Sequence, residues 1–254
     1  MKKIGFITVL IVIEFAAVGF KATPAVDAWQ TSSKDELVSV YKKAMEWFST
    51  STNYKVDVKY SSFSDHSTMT PYDNSEGYYV RSNNNFHSMV LGVQTIQNNK
   101  MRLVIDAASQ IIIINNSSKT TQALFDAKGF AELADQLKAI KKQKNADGEI
   151  VYRMEFKPNG LYKTCEFKLN EIGLLTGLKY YYSKEMMEDE EDASSMNGTP
   201  RVEIEYKNYQ TGLSLDYEKE FSERTYFKED GKKIILNSEY KKFEVKDYRF
   251  ADKK

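Results

Sequence analysis

Charged and apolar side chains take turns along much of this chain, with a period of two. Tyr54, Val56, Val58 and Tyr60 alternate with Lys55, Asp57 and Lys59. Tyr152, Met154 and Phe156 alternate with Val151, Arg153 and Glu155. Cys165, Phe167 and Leu169 alternate with Glu166 and Lys168, and Val202, Ile204 and Tyr206 with Arg201, Glu203, Glu205 and Lys207. An extended strand sends successive side chains to opposite faces, so such segments build sheet with one wet face and one packed face. The packed faces here are aromatic, and they must converge on one concavity or core.

The rest of the chain is parsed around these strands. Ser33 followed by Glu36 is a capping box, and Leu37, Val40, Tyr41, Ala44, Trp47 and Phe48 follow helical spacing, which predicts a helix over residues 33–50. Residues 76–116 read as short strands separated by Asn- and Gly-containing turns, a β-meander. Ile111 to Ile114 is continuous rather than alternating, which predicts cover on both faces, with a helix on the otherwise open side. Phe130, Leu133, Ala134, Leu137 and Ile140 form a helical stripe over residues 126–143. Lys138, Lys141, Lys142 and Lys144 gather where cations suit a helix C-terminus. Asp230-Gly231 joins residues 224–228 to 233–236 as a hairpin, and residues 240–250 hold a last strand. The expected fold is mostly β, of the α+β class: an antiparallel meander or half-open β-barrel of roughly eleven strands, with two helices.

The first residues read as an address. Lys2 and Lys3 precede an apolar run from Ile4 to Phe20, broken by Glu14, and small residues follow through Ala28. This is the pattern of a secretory signal peptide over residues 1–28, with cleavage after Ala22, Ala25 or Ala28; the run is marginal for a membrane anchor. No Cys follows it, so a lipid-modified N-terminus has no attachment site. One domain, residues 29–254, is expected in the periplasm, or secreted, with no stable membrane span after cleavage. The 36 basic and 36 acidic side chains cancel, which argues against a nucleic-acid partner. The single Cys cannot form an internal disulfide.

No catalytic motif is present, so a non-enzymatic protein without cofactor or metal is expected. The acidic run from Glu185 to Asp192 lacks the alternate spacing of a calcium loop and reads as a solvated loop. Asp65 and His66 are neighbours, but neither His66 nor His87 has a nucleophile or an oxyanion site beside it. Both read as surface histidines. Cys165 shares a face with Phe167 and Leu169 and reads as buried. The aromatic faces remain, and ordinary core and a ligand cavity need the same alternation.

The order of these features resembles the LolA/LolB-like outer-membrane lipoprotein carrier superfamily. The helix from Leu37 to Phe48 and the strand from Tyr54 to Tyr60 come first. Glu76-Gly77-Tyr78-Tyr79-Val80, the hairpin from Met101 to Asn115, the crossing segment 126–143 and the strands around Tyr152–Phe156, Phe167–Leu169 and Gly173-Leu174-Leu175 then follow in order. The resemblance implies a single strongly curved, unclosed antiparallel sheet or half-open β-barrel, with the two helices packed in its mouth on the concave side and an apolar ligand in the concavity. The ligand-facing set would be Tyr54, Val56, Val58, Tyr60, Tyr152, Met154, Phe156, Phe167, Val202 and Ile204. Phe130, Leu133 and Leu137 would belong to a lid helix. Arg81 and Arg102 are both candidates for that family's functional arginine. The implied partner is a lipid or acylated ligand, lipoproteins included, bound by a monomer. The alternative is a non-enzymatic envelope interaction or structural module whose concavity is filled core.

Overall fold

The computed structural model describes residues 28–117, 130, 133–158, 160–183, 199–231 and 233–250. Apart from Ala28, the expected leader lies outside the described residues. So do the acidic run from Glu185 to Asp192 and residues 126–129 of the second expected helix.

Helix α1 (Lys34–Thr50) starts as its capping sequence predicts: the Ser33 hydroxyl accepts from the Glu36 amide at 3.1 Å. The reciprocal half of the box is used otherwise. Glu36 turns its carboxylate to Ser32 and to Lys142 instead of back along its own first turn. Leu37, Tyr41, Ala44, Met45 and Phe48 form its buried stripe.

One sheet of 13 strands dominates the molecule, in the order β1-β8-β9-β10-β11-β12-β2-β3-β4-β5-β6-β7-β15. In chain order these are β1 (Gln30–Thr31), β2 (Asn53–Phe63), β3 (Asp73–Ser82), β4 (Asn85–Val90), β5 (Val93–Gln97), β6 (Met101–Asp106), β7 (Ile111–Asn116), β8 (Leu137–Lys144), β9 (Ile150–Phe156), β10 (Tyr162–Leu169), β11 (Leu175–Tyr182), β12 (Arg201–Thr211) and β15 (Glu244–Asp247). Every pairing is antiparallel except β15 with β7, so the sheet is mixed. It curves strongly but does not close, since β1 and β15 remain its edges. After a short helix α2 (Tyr217–Phe221), strands β13 (Phe227–Asp230) and β14 (Lys233–Leu236) make the expected hairpin as a separate two-stranded sheet. The turn between them contains Gly231 at φ +62°, a left-handed conformation that glycine adopts without strain.

The second helix is corrected. Phe130, Leu133 and Ala134 are helical, but Leu137–Lys144 is strand β8, with Ile140 opposite Met154 and Lys142 opposite Tyr152. Its lysines are cross-element ion-pair partners, not cations gathered at a helix end. Lys141 reaches Glu155, and Lys142 reaches Glu36, each at 2.7 Å. Pairing with an amphipathic neighbour outweighs a helical stripe only five residues strong. The last strand is also shorter than expected and parallel to its neighbour.

Two cores lie on opposite faces of the one sheet. On the concave face, α1 packs against β2, β3 and β8–β12, burying Val56, Phe167 and Leu175 completely. On the convex face the register aligns Val80, His87, Ile96, Leu103 and Ile114 across β3–β7. There Ile96, Leu103, Ile105, Ile112 and Ile114 are buried with Tyr226 and Phe227 of the C-terminal segment. This explains the unbroken Ile111 to Ile114. Ile112 and Ile114 are fully buried on the convex side, while Ile111 and Ile113 are half-buried on the other. The expected cover on that strand is the C-terminal segment rather than the crossing helix. Further along the convex face, Lys141–Glu155, Arg153–Glu166, Lys179–Glu203 and Arg201–Glu203 form a ladder of ion pairs.

Candidate ligand-binding face

The ten residues expected to face a ligand share the concave side, and α1 divides them. Tyr54, Val56, Val58, Tyr152, Met154 and Phe167 are buried in one cluster with α1. Tyr152 also donates its hydroxyl to Glu36 at 3.0 Å. Burial first, and the Glu36 carboxylate second, push its phenol up to about 12. Here the concavity is occupied by the protein's own helix.

The remaining four, Tyr60, Phe156, Val202 and Ile204, lie toward the end of the sheet where β2, β9 and β11 finish and β8, β10 and β12 begin. Val202 is nearly buried, and the other three are half-buried. The register sets Tyr60 opposite Ile204 and Val202 opposite Tyr180. Three tyrosines that sequence reasoning left out of the site complete the patch. Tyr162 has its ring 5.3 Å from Tyr180, 5.2 Å from Tyr182 and 6.2 Å from Phe156. All four rings are half-buried. A bulge hid Tyr162: the register shifts between Tyr162 and Thr164, so Tyr162 and Cys165 share a face although three residues apart. A strict period of two assigns them to opposite faces. Burial raises the Tyr60, Tyr162, Tyr180 and Tyr182 phenols, so all stay neutral donors and acceptors on an otherwise apolar surface.

Of the expected lid, Leu137 lies opposite Phe156 as a strand residue of this same end. Phe130 stacks on Tyr41 of α1, ring centroids 3.7 Å apart and planes nearly parallel. Leu133 is half-buried. Of the two candidate arginines, Arg81 donates to the Phe48 carbonyl at 2.7 Å and so holds the last turn of α1, while Arg102 is exposed on β6.

The other candidates separate clearly. Cys165 is buried, and desolvation with the nearby Glu166 charge raises its thiol, so it stays protonated. Asp65 accepts from the amide and hydroxyl of Ser67, which hold it at about 2. The half-buried His66 packs its ring edge-on against Tyr181. His87 is not a surface residue: it is 6% exposed, because the C-terminal segment covers the convex face at that point. Among the described residues no cluster of His, Cys, Asp and Glu could hold a metal ion, and no helix is long and apolar enough to cross a membrane. Two surface grooves, of about 410 and 370 Å³, run along the charged convex side and are lined in part by Asp57, Lys59, Lys168 and Glu203.

No family model matches the sequence, and no curated protein matches it. In structure the chain is similar to a DUF1329 family protein from Desulfovibrio piger, at 10% identity over 77% of this chain and 99% of that one, with a TM-score of 0.33. It is similar to a LolA superfamily protein from Nitrosomonas europaea, at 11% identity over 74% and 97%, with a TM-score of 0.29. It is also similar to an outer membrane lipoprotein-sorting protein domain from Vibrio parahaemolyticus, at 8% identity over 72% and 95%, with a TM-score of 0.28.

Proposed function

We propose that the protein is an exported, non-enzymatic carrier that binds the apolar chain of a lipid or acylated ligand, lipoproteins included, at the aromatic end of its concave face. The observation that carries this reading is the half-buried row Tyr60, Phe156, Tyr162, Tyr180 and Tyr182, continuous with the core but not buried in it. A chain laid along these rings gains about 0.8 kcal/mol for each methylene removed from water. Their neutral phenol hydroxyls can offer hydrogen bonds to an ester or amide at its head. The periplasm is the compartment that the leader-like N-terminus favours.

One observation favours a rival. Leu37, Val56 and Phe167 are fully buried, so α1 fills the middle of the concavity and the protein could serve as an envelope interaction module with a solid core. Native mass spectrometry of the purified protein, with uptake of a fluorescent fatty acid, separates the two. Co-purifying lipid or saturable uptake supports the carrier; a protein that takes up none of a broad lipid panel refutes it. Substitutions place the site. Ile204→Trp should weaken uptake with little effect on stability. Val58→Trp, beneath α1, should cost about 1–3 kcal/mol of stability by overpacking.

A further inference from the structure

The convex core is sealed by a polar cluster that its apolar contacts do not require. His87 projects from β4 beneath α2. Its Nε2 lies 3.0 Å from the Tyr78 hydroxyl of β3 and 2.7 Å from the side-chain nitrogen of Gln94 on β5. Its Nδ1 lies 3.4 Å from Glu220 Oε2 on α2. Gln94 in turn accepts from the Tyr226 hydroxyl at 2.7 Å. Two neighbouring strands and α2 therefore meet on one imidazole, and Tyr226 joins them through Gln94. The facing groups are Tyr78, Gln94, Glu220 and Tyr226, and of these only Glu220 carries charge at neutral pH.

As placed, the Gln94 amide nitrogen suits a neutral ring. With its proton on Nδ1, the ring turns that N–H toward the Glu220 carboxylate without closing a hydrogen bond, and the single lone pair of Nε2 is left to accept from Gln94, with Tyr78 beside it. A second proton on Nε2 would face the Gln94 amide nitrogen, a donor 2.7 Å away. Relieving that conflict means turning the Gln94 amide, so that the Tyr226 hydroxyl must change from donor to acceptor while the charged ring stays buried beneath residues 217–236.

We propose that residues 217–236 form an acid-released clasp: they cover the convex apolar face of β5–β7 while His87 is neutral and loosen from it when His87 is protonated. Burial of the ring lowers its proton affinity below the ordinary 6.5, against the opposing pull of Glu220. The sign follows. A group that binds its proton less tightly when folded stabilises the closed form above the unfolded value, and that stability falls as pH drops through the folded value. The neighbouring tie does not compete in this range. Glu223 accepts from Asn98 and Lys100 and stays ionised to below 4.5.

Hydrogen exchange of the full chain at about pH 7.5 and about pH 5, corrected for the intrinsic pH effect on exchange, tests this. Opening of residues 221–236 should rise by at most about tenfold per pH unit between 6.5 and the lower folded value of His87, and level off below that, while β9–β11 keep their protection. Exchange that rises equally over the whole sheet, or not at all, would overturn the proposal. His87→Gln should flatten the response, and His66→Gln should leave it intact. Glu220→Gln, which removes the one charge favouring the imidazolium, should enlarge it. Should His87→Gln fail to fold, direct NMR titration of His87 in the wild type decides: a midpoint above 6.5 refutes the clasp.

Discussion

Glu36 shows how one residue gives a prediction that its sequence context alone misplaces. Its position three after Ser33 marks the start of a helix, and the helix starts there. The carboxylate, however, bridges α1 to the sheet through Lys142 and Tyr152. The Lys142 ammonium holds it below the ordinary 4.5 despite some burial. Its contribution to stability is therefore present above that value and lost as pH falls through the lower folded one. Glu36→Gln should reduce the loss of stability between neutral and acidic pH, as read by denaturant unfolding at both. His87 is the opposite case. It alternates with Phe86 and Ser88 like any strand residue, and nothing within ten residues says that a segment more than a hundred positions later will cover it.

At the scale of elements, what could be read depended on length and regularity. The long strands β2, β9, β10 and β12 alternate cleanly and were legible, as was α1. Strand β8 was not, because Leu133, Leu137 and Ile140 satisfy a helical period while the strand pairing depends on β9, which comes later. Its assignment is testable. Ile140 is 7% exposed in the concave core, so Ile140→Ala should cost about 2–5 kcal/mol in denaturant unfolding. A solvent-facing helical position would lose little. The aromatic end of the candidate site was half legible for a related reason. Tyr60, Phe156, Val202 and Ile204 follow the period of two, but Tyr162 lies behind a bulge that breaks it.

For the whole molecule, the mostly β character and an open rather than closed sheet were readable from the abundance of one-sided strands, whereas the strong curvature was an expectation of the family resemblance alone. The strands missing from the expectation are β1, which at two residues is too short to show a pattern, and β8, whose spacing reads as helix. That the core changes face was not readable at all, since it depends on where the chain's last segment comes to lie. The open sheet has a further consequence, for how copies of the protein meet one another. An unclosed sheet offers its edges as templates for another chain. Here one edge is β1, two polar residues long, beyond which β8 shows exposed Lys138 and Lys144. The other is β15, four residues long, with Glu244, Lys246 and Asp247 along it. Neither gives a neighbouring copy a long apolar strand to extend. The chain should elute as a single copy in light-scattering chromatography even when concentrated; a dimer would mean that one of these edges has been joined. A broad sheet kept apart from its own copies in this way can leave an apolar concave face available without becoming the seed of a fibre.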